Sequence, residues 1–246
     1  MIKYIVILTK IIIITLVTLL FSSCKSNIDW GDGIDGTGNV TVEKREINEV
    51  FTKVKVNRGI EVIITQSGVS GVEVEADKNL LEHISTKVEN GELIISSDEN
   101  IESAETLIVR VQAPVFEGLT STSGSKINTN NTIKGKFIKL DSSSGSEIEA
   151  LLEYDEVRSS SSSGSSITMS GRALSLYTDA SSGSDITAET LEANLIESEA
   201  SSGSTISVNP LQALKASASS GAAIEYETTP TTVNIDESSG GSVSLK

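Results

Sequence analysis

Apolar and polar positions alternate along most of this chain, and in the C-terminal half the alternation recurs on a fixed period. The marker is a Ser-Gly dipeptide whose glycine stands at 124, 145, 164, 183, 203, 221 and 240, at intervals of 21, 19, 19, 20, 18 and 19 residues. Three residues after each glycine come Ile127, Ile148, Ile167, Ile186, Ile206, Ile224 and Val243. Seven before it, the last six copies carry Ile138, Val157, Leu176, Ile196, Leu214 and Val233. Three before it, the second to sixth copies carry Ser142, Ser161, Ala180, Ala200 and Ala218. Five after it stand Thr129, Ala150, Met169, Ala188, Val208, Tyr226 and Leu245. These odd offsets fit a strand with one buried face. A period of this length marks a solenoid, each copy being one coil laid on the last. The predicted fold is all-β: a single-stranded parallel β-helix of roughly 19-residue coils with a β-rich N-terminal head.

The variation in length is as informative as the repeat. Between seven residues before the glycine and five after it, no copy gains or loses a residue. Insertions fall in the connectors, where Asn130-Asn131, Gly135, Gly171, Pro210 and Pro230 read as turn residues. Gly124, Gly145, Gly164, Gly183, Gly203, Gly221 and Gly240 are therefore predicted to form a structural corner rather than a site. A corner there requires positive φ or a close backbone approach, and glycine tolerates both. Coils stack about 4.8 Å apart, so equivalent serine hydroxyls are expected to bond to one another along the stack.

Between Glu43 and Ala113 the Ser-Gly repeat is not visible, but strand patterns are. Val54-Lys55-Val56, Gly59 to Ile64, Val72 to Glu75, Leu93-Ile94-Ile95 and Leu107 to Val111 all alternate or run apolar. Asp77 is placed to cap a short helix through Ile84, and Asn90-Gly91 marks a turn. The chain divides into a leader at 1–23, a tether at 24–44, a head at 45–118 and the coils at 119–246. The head covers the first coil, whose cross-section would otherwise be bare. The last coil has no evident cap, so that end is expected to lie under the head or against another copy in a homo-oligomer.

The leader has Lys3 and Lys10 ahead of an apolar run of 11 residues, Ile11 to Phe21. A membrane-spanning helix needs about 20, so the run reads as a signal-peptide core. It ends in Leu20-Phe21-Ser22-Ser23-Cys24, which resembles a bacterial lipobox with Cys24, the sole cysteine, as the lipidated residue. Cleavage there makes the membrane a partner through that lipid and shifts the net charge from −15 to −17, because two lysines leave and no acid does. Such acidity disfavours nucleic acid and serves solubility.

Catalytic signals are poor. His83 is the only histidine and leaves a Ser-His-Asp triad one candidate base. Ser123-Gly124-Ser125-Lys126 has Ser-x-x-Lys spacing but stands at a β corner without companion motifs. Asp29, Asp32 and Asp35 are spaced by three, unlike a calcium loop, and Trp30 reads as a docking point. No cofactor is expected. The remaining chemistry lies four residues before the glycine, on the outward parity, where Asp141, Asp179, Glu199 and Asp236 are candidate metal ligands. Stacking would set Asp179 and Glu199 on adjacent coils, about 5 Å apart. The same carboxylates support an alternative reading as a carbohydrate-active enzyme or polysaccharide-binding β-helix.

With Gly59-Ile60-Glu61-Val62, Gly91-Glu92-Leu93-Ile94-Ile95 and the recurrent Ser-Gly-Ser in view, residues 45–246 resemble the head GIN domain family of Gram-negative envelope proteins. The resemblance implies a right-handed parallel β-helix and a link to adhesins, and it carries over no catalytic residues. The expected function is that of an envelope-anchored, non-enzymatic lipoprotein, in or near the outer membrane. It would act in adhesion or scaffolding, with a glycan or protein ligand.

Overall fold

The computed structural model describes residues 33–246, together with Lys10. Cys24, Trp30, Asp29, Asp32 and the apolar leader lie outside the described residues. The described chain begins with β1 (Ile34–Asp35) and β2 (Val40–Arg45). Two short arms follow, β3 (Lys53–Val56) and β4 (Glu61–Gln66), then β5 (Gly71–Asp77) and β6 (Ile84–Glu89). Next come β7 (Glu92–Ser97), β8 (Ile101–Ser103) and β9 (Leu107–Ala113). The coils continue through β10 (Gly118–Thr122), β11 (Lys126–Thr129), β12 (Ile133–Ser143) and β13 (Glu147–Ser162). They end with β14 (Ser166–Ala180), β15 (Asp185–Ala200), β16 (Thr205–Ala218), β17 (Ala223–Tyr226), β18 (Thr232–Glu237) and β19 (Ser242–Leu245).

From β10 onward every pairing is parallel, and the arms stack residue on residue. Ile127, Ile148, Ile167, Ile186, Ile206, Ile224 and Val243 are successive partners in one column. The solenoid predicted from the period is the observed fold. It also starts earlier than the Ser-Gly marker. Val62 of β4 pairs with Ile127, and Val109 of β9 pairs with Val62, so this column extends two layers into the head. A second column runs from Leu93 through Val54, Leu119 and Leu140 to Ser159, Thr178, Ser198, Ala216 and Ile235. Leu gives way to Ser, Thr and Ala midway, and buried hydroxyls there find partners, Thr178 Oγ1 donating to Ser198 Oγ at 2.8 Å.

The corners explain the dipeptide. Serine and glycine both have positive φ, +56° and +69° at Ser144 and Gly145, and the other copies match. Two consecutive left-handed residues make a tight type I′ reversal. A Cβ added at Gly145 would meet nothing within 4 Å, so the backbone angle, not crowding, demands glycine there. The reversal turns the Ser-Gly peptide along the stack. Gly124 N–H donates to the Ser144 carbonyl at 3.1 Å, Gly145 to Ser163 at 3.1 Å and Gly164 to Ser182 at 3.2 Å. Arg58-Gly59 adopts the same angles, and Gly59 N–H donates to Ser123 at 3.1 Å, adding a corner in the head.

The corner hydroxyls do not bond to one another from coil to coil as expected. In the first five copies the residue after the glycine is a serine that points inward, and its Oγ reaches a backbone carbonyl of the preceding coil: Ser146 to Ser121 at 2.6 Å, Ser165 to Ser142 at 2.8 Å, Ser184 to Ser161 at 2.7 Å. The same Oγ accepts the N–H two residues before the glycine, Ser162 N–H to Ser165 at 3.1 Å. The tight reversal leaves these backbone groups turned inward, and they claim the hydroxyl first. Replacing Ser165 with alanine removes the inter-coil bond and orphans the Ser162 N–H. We expect a loss of about 1–3 kcal/mol by urea denaturation; an unchanged midpoint would refute this account.

Connectors differ from expectation. Asn130-Asn131 lie in a bend and Pro230 in the irregular segment between β17 and β18, but Gly135, Gly171 and Pro210 sit within β12, β14 and β16. In those three coils the chain returns as a bent, still-paired strand, with register shifts such as that between Ala188 and Glu192. Gly171 is a close approach, since a Cβ there would lie 2.0 Å from the Leu152 carbonyl oxygen.

The head reverses the stacking order. After β3 and β4 the chain crosses to their outer side, where β7 pairs parallel with β3 and β9 with β4. β6 and β5 then pair antiparallel with β7 and β9, and β2 lies antiparallel on β5. Antiparallel strands thus close the end, while β10 and β11 begin the coils on the other side of β3 and β4. Asp77 caps no helix. The helical turn Leu81–His83 has Leu80 at its N-cap, and the buried Asp77 carboxylate instead accepts the Glu105 N–H at 2.8 Å. The head does not reach the C-terminal coil, since β18 and β19 pair only with β16 and β17.

Candidate functional site

The arm before each corner shows a flat outward face, because alternate side chains of β12 to β16 leave the core. Two outward columns stand side by side. Six residues before the glycine they read Lys139, Arg158, Tyr177, Glu197 and Lys215; four before it, Asp141, Ser160, Asp179, Glu199, Ser217 and Asp236.

Charge pairing divides this face. Lys139 Nζ lies 2.9 Å from Asp141 Oδ2. Arg158 Nε donates to Glu156 Oε1 at 2.6 Å, and its guanidinium carbon lies 4.9 Å from the Tyr177 ring centroid. Lys215 pairs with Glu197, whose hydrogen bond and charge hold the ammonium above its ordinary range, with Glu199 adding to the field. Asp179 and Glu199 are in register on adjacent coils and have no ion pair among the described residues. A shallow depression of about 230 Å3 opens between these side chains, lined by Lys139, Arg158, Tyr177, Asp179, Glu197 and Glu199. Tyr177 is 37% exposed. The site therefore offers part of an aromatic ring, a guanidinium steadied by a carboxylate, and two adjacent acids.

The four predicted metal candidates do not converge. Ser160 separates Asp141 from Asp179, and Ser217 separates Glu199 from Asp236. Among the described residues no group of three Asp, Glu, His or Cys could hold a metal ion. His83 is partly buried, with Nδ1 3.1 Å from Asp98 Oδ1. Lys126, in the Ser-x-x-Lys match, lies 3.2 Å from Glu147 and 3.4 Å from Glu149.

A second, larger depression of about 470 Å3 lies over the connectors, between Lys134, Glu153, Arg172, Leu174, Glu192 and Leu211. Its floor includes Tyr154, whose hydroxyl donates to the Phe116 carbonyl at 2.8 Å and is pushed well above the usual tyrosine range by burial, with Glu117 adding to the shift. Sequence reasoning missed this place, because connectors follow no common register. Gly135 was the available signal: a Cβ there would lie 2.6 Å from the Tyr154 ring.

The fold and its corners define a parallel β-solenoid closed at one end by an antiparallel head. Residues 50–230 match the family described as "Putative auto-transporter adhesin, head GIN domain", and the chain belongs to that family. No curated protein matches the sequence. A structure from Bacteroides fragilis described as "a putative adhesin" is similar at a TM-score of 0.80 and 16% identity, over 87% of this chain and 100% of its own. One from Parabacteroides distasonis has a TM-score of 0.69 and 20% identity, over 87% and 100%. A third, from the same species and described as a "Putative lipid binding protein", has a TM-score of 0.71 and 17% identity, over 87% and 99%. At these identities the likeness concerns the fold.

Proposed function

We propose that this chain is an envelope-anchored lipoprotein, held in the outer membrane through lipid on Cys24, that works in adhesion without catalysis. Its ligand is a glycan bound on the outward arm face. The observation that carries this reading is the half-exposed Tyr177 ring flanked by Arg158, Asp179 and Glu199. A sugar ring lays its apolar face on an aromatic, and its hydroxyls donate to carboxylates and accept from guanidinium. Among the described residues no helix is long and apolar enough to cross a membrane; the attachment proposed is the lipid on Cys24. Membership of an adhesin-labelled family supports the envelope setting.

One experiment tests the reading: a glycan array probed with cells producing the chain and with the purified protein. Wild-type cells should bind a restricted set of glycans. Tyr177→Ala should weaken that binding about tenfold, the loss of roughly 1.4 kcal/mol of stacking, with the protein still membrane-bound. Cys24→Ala should leave a soluble protein that binds the same glycans but no longer tethers cells. Binding unaffected by Tyr177→Ala would reject this face, and Cys24→Ala protein remaining on the membrane would reject the anchor.

A further inference from the structure

The two ends of the stack are unlike. The first is closed by antiparallel strands. In the last coil the inward columns surface: Val233 is 39% exposed, Ile235 40% and Leu245 50%, whereas Leu214 and Ala216, one coil earlier, are each 1% exposed. Among the described residues nothing pairs with the outer edges of β18 and β19. An apolar edge strand with free backbone groups is a template for another chain, and a second copy presents a coil of the same outline and corner.

One residue breaks the pattern at this edge. Three residues before the glycine the earlier coils carry Ser142, Ser161, Ala180, Ala200 and Ala218, all buried. The last coil carries Glu237, in register with Ala218 on the inward parity. Its Oε1 accepts the Val243 N–H at 2.6 Å. Neighbouring N–H groups of β19 are already turned to the coil below, Ser242 to Ala222 at 3.0 Å and Lys246 to Tyr226 at 3.1 Å. The Val243 N–H therefore points to the open side, where an added coil would place its carbonyl.

We propose that Glu237 is an edge guard that keeps the last coil from pairing with a second copy of this chain. It acts in two ways. It occupies a donor that pairing would use. It also sets on the inward parity a carboxylate that pairing would bury without a cation, and two copies would bring two such charges together. Burying an unpaired charge is far costlier than one strand contact is favourable. The column's ordinary residue, serine or alanine, carries neither obstacle.

The test is sedimentation velocity of the full chain in one detergent, over a hundredfold range of concentration. Wild type should stay at the size of one chain per micelle. Glu237→Ala should shift to a dimer with an apparent affinity at least tenfold tighter than wild type. The double variant Glu237→Ala with Ile235→Lys should return to one chain, because the lysine stands at the exposed apolar centre of the same end. Circular dichroism of each variant confirms that the β-fold is kept. Three outcomes would overturn the proposal: wild type already dimeric, Glu237→Ala no more associated than wild type, or a double variant still associated, which would place the contact elsewhere.

Discussion

Gly171→Ala should be the most damaging single methyl that can be added to this protein. The residue has φ of +119°, outside the range that L side chains readily adopt. A Cβ there would lie 2.0 Å from the Leu152 carbonyl oxygen and 3.0 Å from its carbon. Both are backbone atoms of the adjacent coil, so no side chain can rotate away. Gly171 is paired with Leu152 on one side and Leu191 on the other, and relief would break one of those ladders. Backbone strain of about 1–3 kcal/mol and overpacking of similar size give a combined loss of about 2–6 kcal/mol. In a domain of this length that lowers the melting temperature by roughly 10 °C. Gly145→Ala is the control: its φ is also positive, but the space beside it is open, so only the strain remains. If circular dichroism melts show the two variants equally affected, the close approach at Gly171 is not what the fold depends on.

Ile167→Ala should follow closely. Ile167 lies between Ile148 and Ile186 in the continuous column and is 0% exposed. Truncating such a residue costs about 2–5 kcal/mol, depending on how far the cavity can collapse. Collapse is limited here, because the strands on both sides are held by their own ladders. In a stack, stability is close to a sum of nearest-neighbour terms, so the loss falls on two interfaces in mid-solenoid. Urea unfolding should then lose its single transition, one part melting before the other. The equivalent change at the half-covered end, Val243→Ala, should cost much less. A single unshifted transition for Ile167→Ala would contradict this arrangement.

The solenoid was readable because stacking forces equivalent positions into register, so Ile148, Ile167 and Ile186 announce one column by their spacing alone. The head was harder. Its corner uses Arg58-Gly59 instead of Ser-Gly, and the layer built from β7 and β9 replaces the tight turn with residues 98–106, which erases the period. Asp77 looked like a helix cap because caps and buried hydrogen-bonded carboxylates use the same residue. Proximity in space, which sequence does not print, settled it in favour of the Glu105 N–H. The Gly171 approach to Leu152 was hidden for the same reason. Of the candidate site, the outward parity of Asp179 and Glu199 was legible from the offsets. The Arg158 guanidinium over Tyr177 was not, because side-chain reach between columns depends on rotamers. Glu237 was visible only as the residue at which a series of small side chains stops.

The corner hydrogen bonds have an electrical consequence. The carbonyl of a corner serine and the N–H of its glycine belong to one peptide unit, and from Ser123-Gly124 to Ser202-Gly203 that unit accepts from the coil before and donates to the coil after. Six such bonds, from Gly59 N–H to the Ser220 carbonyl, join seven peptides head to tail along the stack. Each carries a dipole of about 3.5 D, so aligned they sum to roughly 25 D. The negative pole lies toward the head and the positive pole toward the last coil. Built from strands, this fold nevertheless has a helix-like polarity along its axis.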